Sequence, residues 1–221
     1  MRILAVADEE SKSLYDYYRP GKLDGYDLII ACGDLSVEYL EFLVTMAGCP
    51  LVYVFGNHDE KHKRLPTGCI CAEDKIVEVN GLRILGFGGS YKYRDGKYMF
   101  TETQMKNRVR KKLLSIKKHG GFDILLTHAP ARHLNDLETI PHRGFECFNT
   151  LIDKVQPRLF VHGHVHLSYN HRIPQKCQRG DTTVVNAYEY CVIELDDKEL
   201  NNKDNKTDKE INRAKDKSPV V

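Results

Sequence analysis

Residues 51–59 read LVYVFGNHD, in which an apolar run is followed at once by an amide, an imidazole and a carboxylate. The run Leu51–Phe55 is rich in β-branched and aromatic residues and predicts a buried strand. Asn57, His58 and Asp59 stand just past its end. Strand ends are where α/β sheets place reactive side chains, because the strand is rigid and the following loop is free to shape a site. The stretch therefore predicts a functional site built on a sheet.

The rest of the chain repeats this arrangement of short strands separated by helical segments. Helical periodicity extends from Val37 to Met46, after a predicted N-cap at Ser36, and again from Phe145 to Val155. The alternation predicts an α/β fold with parallel pairing in the N-terminal half, and Asn80-Gly81 predicts a hairpin. Further apolar runs predict strands at Arg2–Ala7, Asp27–Cys32, Ile76–Val79, Leu82–Phe87, Asp123–Thr127, Arg158–His162, Thr183–Asn186 and Tyr190–Glu194.

Length and composition limit the number of domains. With 221 residues and 41% hydrophobic content, the chain can bury one sizeable core. We expect one domain over residues 1–195. Residues 196–221 are almost wholly polar and predict a disordered tail, with a short helix as the alternative.

Charge and cysteine content bear on partners and location. The net charge of +2 gives no global field toward nucleic acid or anionic membranes, so neither is expected as a partner. Seven scattered cysteines without a C-x-x-C pair favour a reduced, cytoplasmic chain. Only five apolar residues stand between Arg2 and Asp8, which is too short for a signal-peptide core, and no run approaches membrane-spanning length.

A basic segment, TQMKNRVRKKLLSIKKHGG, begins at Thr103 and offers two interpretations. Its lysines and arginines could contact a phosphate backbone. However, Met105, Val109, Leu113 and Ile116 recur at helical spacing, which places the basic residues on the opposite, solvated face. We favour the solvated face.

Potential metal donors follow five of the predicted strands. Any one of them alone would be read as a turn residue, a surface group or a satisfied core histidine. Together they form a mixed oxygen and nitrogen donor set suited to divalent ions. The donors are Asp8, Glu10, Asp34, Asn57, His128, His164 and His166.

These donors lie in motifs that resemble those of the calcineurin-like metallophosphoesterase superfamily. The motifs are Asp8-Glu9-Glu10, Cys32-Gly33-Asp34, Gly56-Asn57-His58-Asp59, Thr127-His128 and Gly163-His164-Val165-His166, in the family order. The resemblance covers about residues 1–195. It implies a four-layer αββα sandwich of two mixed β-sheets flanked by helices.

The resemblance also implies a dinuclear metal centre. Asp34 would bridge the ions. One metal would be held by Asp8, Asp34, His166 and the residue at Glu10, and the other by Asp34, Asn57, His128 and His164. Two such ions about 3.5–4 Å apart can share a hydroxide that attacks phosphorus in line.

Glu10 departs from the family pattern, which has histidine at this position. An oxygen donor favours harder ions, so we expect Mn²⁺, with Fe²⁺, Mg²⁺ or Zn²⁺ as alternatives. In the alternative interpretation Glu10 does not bind metal, and the first ion is loosely held or absent. Strand alternation places Glu10 on the side of Asp8 and turns Glu9 away.

Other residues are candidates for substrate contacts. His58 matches the family histidine that protonates the leaving alkoxide, and Asp59 either holds the tautomer of that ring or is a simple loop carboxylate. Asn57, His142 and Arg143 could contact substrate, although the last two could equally be solvated loop residues. The tyrosine-rich stretch GGSYKYRDGKYMF, residues 88–100, is either a substrate-facing rim or an ordinary loop.

The sequence therefore predicts a metal-dependent phosphoesterase acting on a small phosphate ester, with diesters preferred over monoesters. The Asp-Arg-Gly run of protein phosphatases is missing, because Gly33-Asp34 continues as Leu-Ser-Val-Glu. A binding scaffold of the same fold is the alternative, but a scaffold has no need of His58 and the donors. A nuclease is less favoured because a basic groove is not evident.

Overall fold

The computed structural model describes residues 1–168 and 173–196, and the predicted tail beyond Asp196 lies outside this range. Within it, three α-helices are formed by Val37–Ala47 (α1), Glu102–Lys118 (α2) and Glu146–Val155 (α3). The strands are β1 (Arg2–Ala7), β2 (Leu28–Ala31), β3 (Leu51–Tyr53), β4 (Ile70–Cys71), β5 (Ile76–Val79), β6 (Leu82–Phe87), β7 (Ser90–Tyr91), β8 (Met99–Phe100), β9 (Ile124–Thr127), β10 (Leu159–His162), β11 (Lys176–Arg179), β12 (Thr182–Asn186) and β13 (Glu189–Glu194).

Two mixed sheets contain most of these strands. The first has the order β13-β1-β2-β3-β4, and the second has the order β11-β12-β10-β9-β6-β5. Neighbours from β1 to β4 are parallel, as are β6, β9, β10 and β12, whereas β13, β5 and β11 pair antiparallel at the edges. The short pair β7-β8 stands apart. The parallel pairing predicted for the N-terminal half is confirmed.

The sheets pack face to face between helices. Alternate residues of β1, such as Ile3 and Ala5, join Ile84 and Val161 of the second sheet in one apolar cluster. The other face of the first sheet packs on α1, and the outer face of the second packs on α2 and α3. The fold is thus the predicted four-layer αββα sandwich, and burial of both faces explains why its parallel strands read as continuous apolar runs.

Local signals begin and end these elements as expected. The Ser36 hydroxyl accepts a hydrogen bond from the backbone N–H of Tyr39 at 3.1 Å and so caps α1. Asn80 and Gly81 both have positive φ, 50° and 77°, and close the antiparallel β5-β6 hairpin in the manner of a type I′ turn.

Helix α2 departs from its predicted pattern at two residues. Leu113 is 49% exposed, although its spacing predicts burial. The solvated face predicted for the basic residues includes Arg108, yet its side chain is only 13% exposed and pairs with Glu73 and Asp74. None of the helices in residues 1–168 and 173–196 is long and apolar enough to cross a membrane.

Candidate metal centre

Loops after parallel strands of both sheets meet at one edge of the sandwich. The ligand atoms of Asp8, Asp34, His128 and His164 all lie within 4.8 Å of one another there. Asp8 follows β1, Asp34 lies beyond β2, His128 follows β9 and His164 follows β10. The strand ends thus bring together four predicted donors that are far apart in sequence.

The backbone at this edge is unusually constrained. Asp8, Asp34 and His164 all have left-handed backbone, with φ of 65°, 58° and 67°. Such conformations cost free energy and persist where the surrounding structure fixes them. Here the fixing bonds include one from the His164 N–H to Asp8 Oδ2 at 2.8 Å and one from the Asp8 N–H to the Gly33 carbonyl at 3.1 Å.

Glycines allow the loops to approach closely. A Cβ added at Gly33 would lie 2.2 Å from the backbone nitrogen of Gly56, and one added at Gly56 would lie 2.0 Å from Asp34 Oδ1. Both glycines are therefore required by the contact between the two loops rather than by a turn alone.

Backbone carbonyls fix the tautomers of the two buried histidines. Nδ1 of His128 lies 2.7 Å from the carbonyl of Cys32, and Nε2 of His164 lies 2.6 Å from the carbonyl of Pro141. Because a carbonyl only accepts hydrogen bonds, both ring nitrogens must carry a proton. In the neutral rings, the lone pairs therefore belong to His128 Nε2 and His164 Nδ1.

These two lone pairs face each other and a third acceptor. His128 Nε2 lies 3.1 Å from His164 Nδ1 and 2.9 Å from Oδ1 of Asn57. Asp34 Oδ2 is 3.4 Å from the same nitrogen. Acceptors that converge in this way need a cation or a proton between them, so the donor set fits a divalent metal ion.

Without a metal ion, the neighbouring charges favour a proton on His128 in place of the cation. Burial alone would lower the pKa of His128, but Asp34 and Asp8 outweigh it and raise that pKa to about 9. Burial raises the pKa of Asp8 to about 7. Burial and the nearby His128 charge lower the pKa of His164 to about 3, which keeps it neutral.

Glu10, a predicted metal donor, lies outside the compact donor group. Its carboxylate accepts a hydrogen bond from the backbone N–H of Ser36 at 3.3 Å. Strand alternation does not extend to Glu9 and Glu10, because β1 ends at Ala7 and the backbone of Asp8 is left-handed. Glu9 accepts a hydrogen bond from the hydroxyl of Tyr188.

His166 also lies outside that compact group but lines the same cavity. Its ring packs against the ring of Tyr188, with centroids 4.7 Å apart. The cavity has a volume of about 340 Å³, and its remaining lining residues are Asp8, Asp34, Asn57, His58, Tyr93, Pro141, His142 and His164.

His58 is exposed in this cavity, and its backbone N–H donates to Asp34 Oδ1 at 2.7 Å. Within the described part of the chain, the Asp59 carboxylate has partners other than the His58 ring. Its Oδ2 accepts from the N–H groups of Gly56 at 2.7 Å and Asp34 at 3.1 Å, and its Oδ1 lies 3.4 Å from His62. Asp59 therefore holds the loops together, which supports the second of its two interpretations, a loop carboxylate, over a partner of the His58 ring.

The two predicted substrate residues beyond the motifs have different positions. His142 lines the cavity, and its ring centroid is 5.4 Å from that of His164. Partial burial lowers its pKa. Arg143 is not among the lining residues, and its guanidinium lies over the ring of Tyr91 at 5.7 Å. Arg143 thus lies beside Tyr91, and its substrate contact stays a prediction.

Sequence reasoning missed Asn186, a buried residue at the end of β12. Its Nδ2 donates to the carbonyl of Val165 at 2.8 Å, and its Oδ1 accepts from the N–H of Tyr188 at 2.9 Å. Asn186 therefore fixes the loop between His164 and His166. The only signal in the sequence was its place at a strand end, and no donor motif accompanies it.

Comparison with known proteins agrees with this fold. A family model described as calcineurin-like phosphoesterase matches residues 1–168. The Thermus thermophilus protein TT1561 has the same fold, with a TM-score of 0.54 and 15% identity, and the match covers 85% of this chain and 89% of that one. The fold is thus that of phosphoesterases. The chain belongs to the calcineurin-like phosphoesterase family.

Curated relatives are longer than this chain. The human and mouse proteins called metallophosphoesterase domain-containing protein 1 are each 31% identical over 140 residues. The matched region covers 58% of this chain and 37% of each relative, so the chain spans little more than a third of their length.

Metal binding should release protons, because the metal replaces the proton between the lone pairs. At neutral pH, His128 with its pKa of about 9 is protonated and Asp8 with its pKa of about 7 is partly so. We expect more than one proton to be released on binding Mn²⁺, and affinity to fall as pH falls below about 9. Calorimetric titration in buffers of different ionisation enthalpy measures the release.

The exposed His133 provides the control, since His133→Asn should leave the release unchanged. Binding heats that do not depend on the buffer would contradict the assignment of His128 as a protonated metal donor.

Proposed function

We propose that the chain is a metal-dependent phosphodiesterase that hydrolyses a small phosphate diester in the cavity beside the donor group. The observation that carries this proposal is the convergence of His128 Nε2, His164 Nδ1 and Asn57 Oδ1, next to the exposed ring of His58. Bound divalent ions supply an activated water and neutralise charge on the phosphoryl group. Mn²⁺ is our proposed ion because carboxylate and amide oxygens supply much of the set.

The proposed ligands divide into two groups that share Asp34. Asn57, His128 and His164 complete one group, in which the tautomers already direct lone pairs inward. Asp8, His166 and Glu10 complete the other, for which the Glu10 carboxylate must leave the Ser36 N–H. We therefore propose one tight and one weaker ion.

His58 is proposed as the acid that protonates the leaving oxygen. Its side chain is exposed to the cavity, and the hydrogen bond from its backbone N–H to Asp34 holds its backbone in place. An imidazole placed beside the phosphoryl group can deliver a proton at neutral pH, which matters most for a poor leaving group.

The cavity walls support a diester over a monoester. None of the described residues that line it is a lysine or arginine, and its polar groups are imidazoles, carboxylates and an amide. A diester carries a single negative charge, whereas a monoester dianion calls for a fixed cation such as arginine. The carboxylates Asp8 and Asp34 add to this preference by opposing a second negative charge.

The proposal is tested with bis-p-nitrophenyl phosphate and p-nitrophenyl phosphate. The Mn²⁺-loaded protein should have the higher kcat/KM for the diester, and chelation should abolish both activities until Mn²⁺ is restored. A higher kcat/KM for the monoester would contradict the diester assignment. A protein that binds Mn²⁺ but hydrolyses neither would be a binding scaffold.

His58→Ala should lower kcat by a factor on the order of 10²–10⁴ for a diester with a poor, alkyl leaving group. The reason is the loss of the proton donor, so the aryl diester should be affected much less and Mn²⁺ stoichiometry should not change. Steady-state kinetics on both substrates and metal analysis measure these quantities. His133→Ala is the control, and equal losses on both substrates would rule out the acid role.

Glu10 variants test the weaker ion. Glu10→Gln should weaken the second Mn²⁺ step roughly tenfold or more and leave the first step unchanged, because only the second group contains Glu10. Glu10→His should favour Zn²⁺ at that step. Calorimetry with Glu9→Gln as control resolves the two steps. Unchanged stoichiometry and affinity in both Glu10 variants would refute the ligand role.

A further inference from the structure

One arginine of the basic helix α2 contacts the segment that follows β6. Arg108 of α2 donates through Nε to Asp74 Oδ1 at 3.0 Å and through Nη1 to the carbonyl of Gly88 at 2.8 Å. Its Nη2 pairs with Glu73. The guanidinium carbon also lies 4.3 Å from the ring centroid of Phe100. Every edge of the guanidinium is thus engaged.

Glu73 passes this contact to two backbone segments. Its carboxylate accepts from the N–H of Phe55 at 3.2 Å and from the N–H of Gly88 at 3.1 Å. Phe55 directly precedes the loop of Gly56 to Asp59. Gly88 begins the tyrosine-rich segment of residues 88–100, which is called the rim here because its Tyr93 lines the cavity. The side chains of Glu73 and Arg108 are only 16% and 13% exposed, so water screens this ion pair weakly.

The two backbone segments also contact each other directly. The N–H of Gly89 donates to the carbonyl of Phe55 at 2.7 Å, and the ring of Phe55 stacks on Tyr98 at 4.8 Å. A Cβ added at Gly88 would lie 2.3 Å from the Phe55 carbonyl oxygen. The carboxylate of Glu73 thus lies at a junction where glycine alone fits.

Both segments contribute to the cavity lining. His58 comes from the loop after Phe55, and Tyr93 comes from the rim. We propose that the Arg108–Glu73 pair acts as a clasp that positions His58 relative to the rim, so that both are positioning residues for proton delivery to the leaving group. This inference rests on the proposed function in naming proton delivery, whereas the clasp itself is independent of it.

The clasp makes a specific kinetic prediction. Arg108→Met leaves Glu73 without its cation and the Gly88 carbonyl without its donor, so the anchor shared by both segments is weakened. A misplacement of about 1 Å can cost about 10²-fold in rate. We expect kcat to fall about 10–100-fold for the alkyl diester. For the aryl diester, which hardly needs an acid, the loss of kcat should be about ten times smaller. A general loss of structure would lower both rates equally.

Two further variants guard against misfolding of the first. Glu73→Gln keeps the shape but replaces one acceptor oxygen by a donor, so it cannot serve Arg108, Phe55 and Gly88 together. The double variant Arg108→Met/Glu73→Gln should have a kcat no lower than that of the more impaired single variant, because the two residues act as a unit. Arg110→Met, an exposed arginine on the same helix, is the matched control.

A structural readout separates the clasp from the proposed function. Hydrogen exchange followed by mass spectrometry should show faster exchange in residues 55–59 and 88–100 of Arg108→Met and Glu73→Gln than in the parent. If exchange in these residues of both variants were no faster than in Arg110→Met, the clasp would be overturned. If the parent hydrolyses neither diester, the proposed function fails, while the exchange still decides the clasp.

Discussion

The structure depends on backbone N–H groups that lose their strand partners where the two sheets end. Buried N–H groups must be paired, and here carboxylates accept from them. Each carboxylate accepts from at least one N–H group of another loop, so the loops at this edge are fastened by side chains. Four carboxylates do this: Asp8 with His164, Asp34 with His58, Asp59 with Gly56 and Asp34, and Glu73 with Phe55 and Gly88.

This arrangement concentrates negative charge in a buried place. Burial raises the pKa of Asp8 to about 7, whereas His128, helped by the His58 N–H, outweighs burial at Asp34 and holds its pKa below the usual range. In the metal-free protein the proton on His128 offsets part of this repulsion, and a divalent cation offsets more. The same carboxylates therefore build the loops and create the need for a cation.

Most of the layer architecture could be predicted from the sequence, because buried parallel strands read as apolar runs and Ser36 and Asn80-Gly81 are local signals. The compact donor group could also be predicted, since its members follow strands. The positions of Glu10 and Asp59 could not, because left-handed backbone after Ala7 and N–H groups in need of acceptors redirect side chains. Neither Arg108 nor Asn186 could be assigned, since their contacts are made only when distant segments meet.

The left-handed backbone at Asp8, Asp34 and His164 restricts how this centre can change over evolution or by design. Aspartate, asparagine and histidine are the non-glycine residues that best tolerate this conformation, and β-branched residues tolerate it poorly. The side chains that the loops accept are thus the same ones that bind hard and borderline metals. Exchanges among these three residue types can retune metal preference without rebuilding the loops, whereas replacement by valine or isoleucine would deform the backbone before it altered the chemistry.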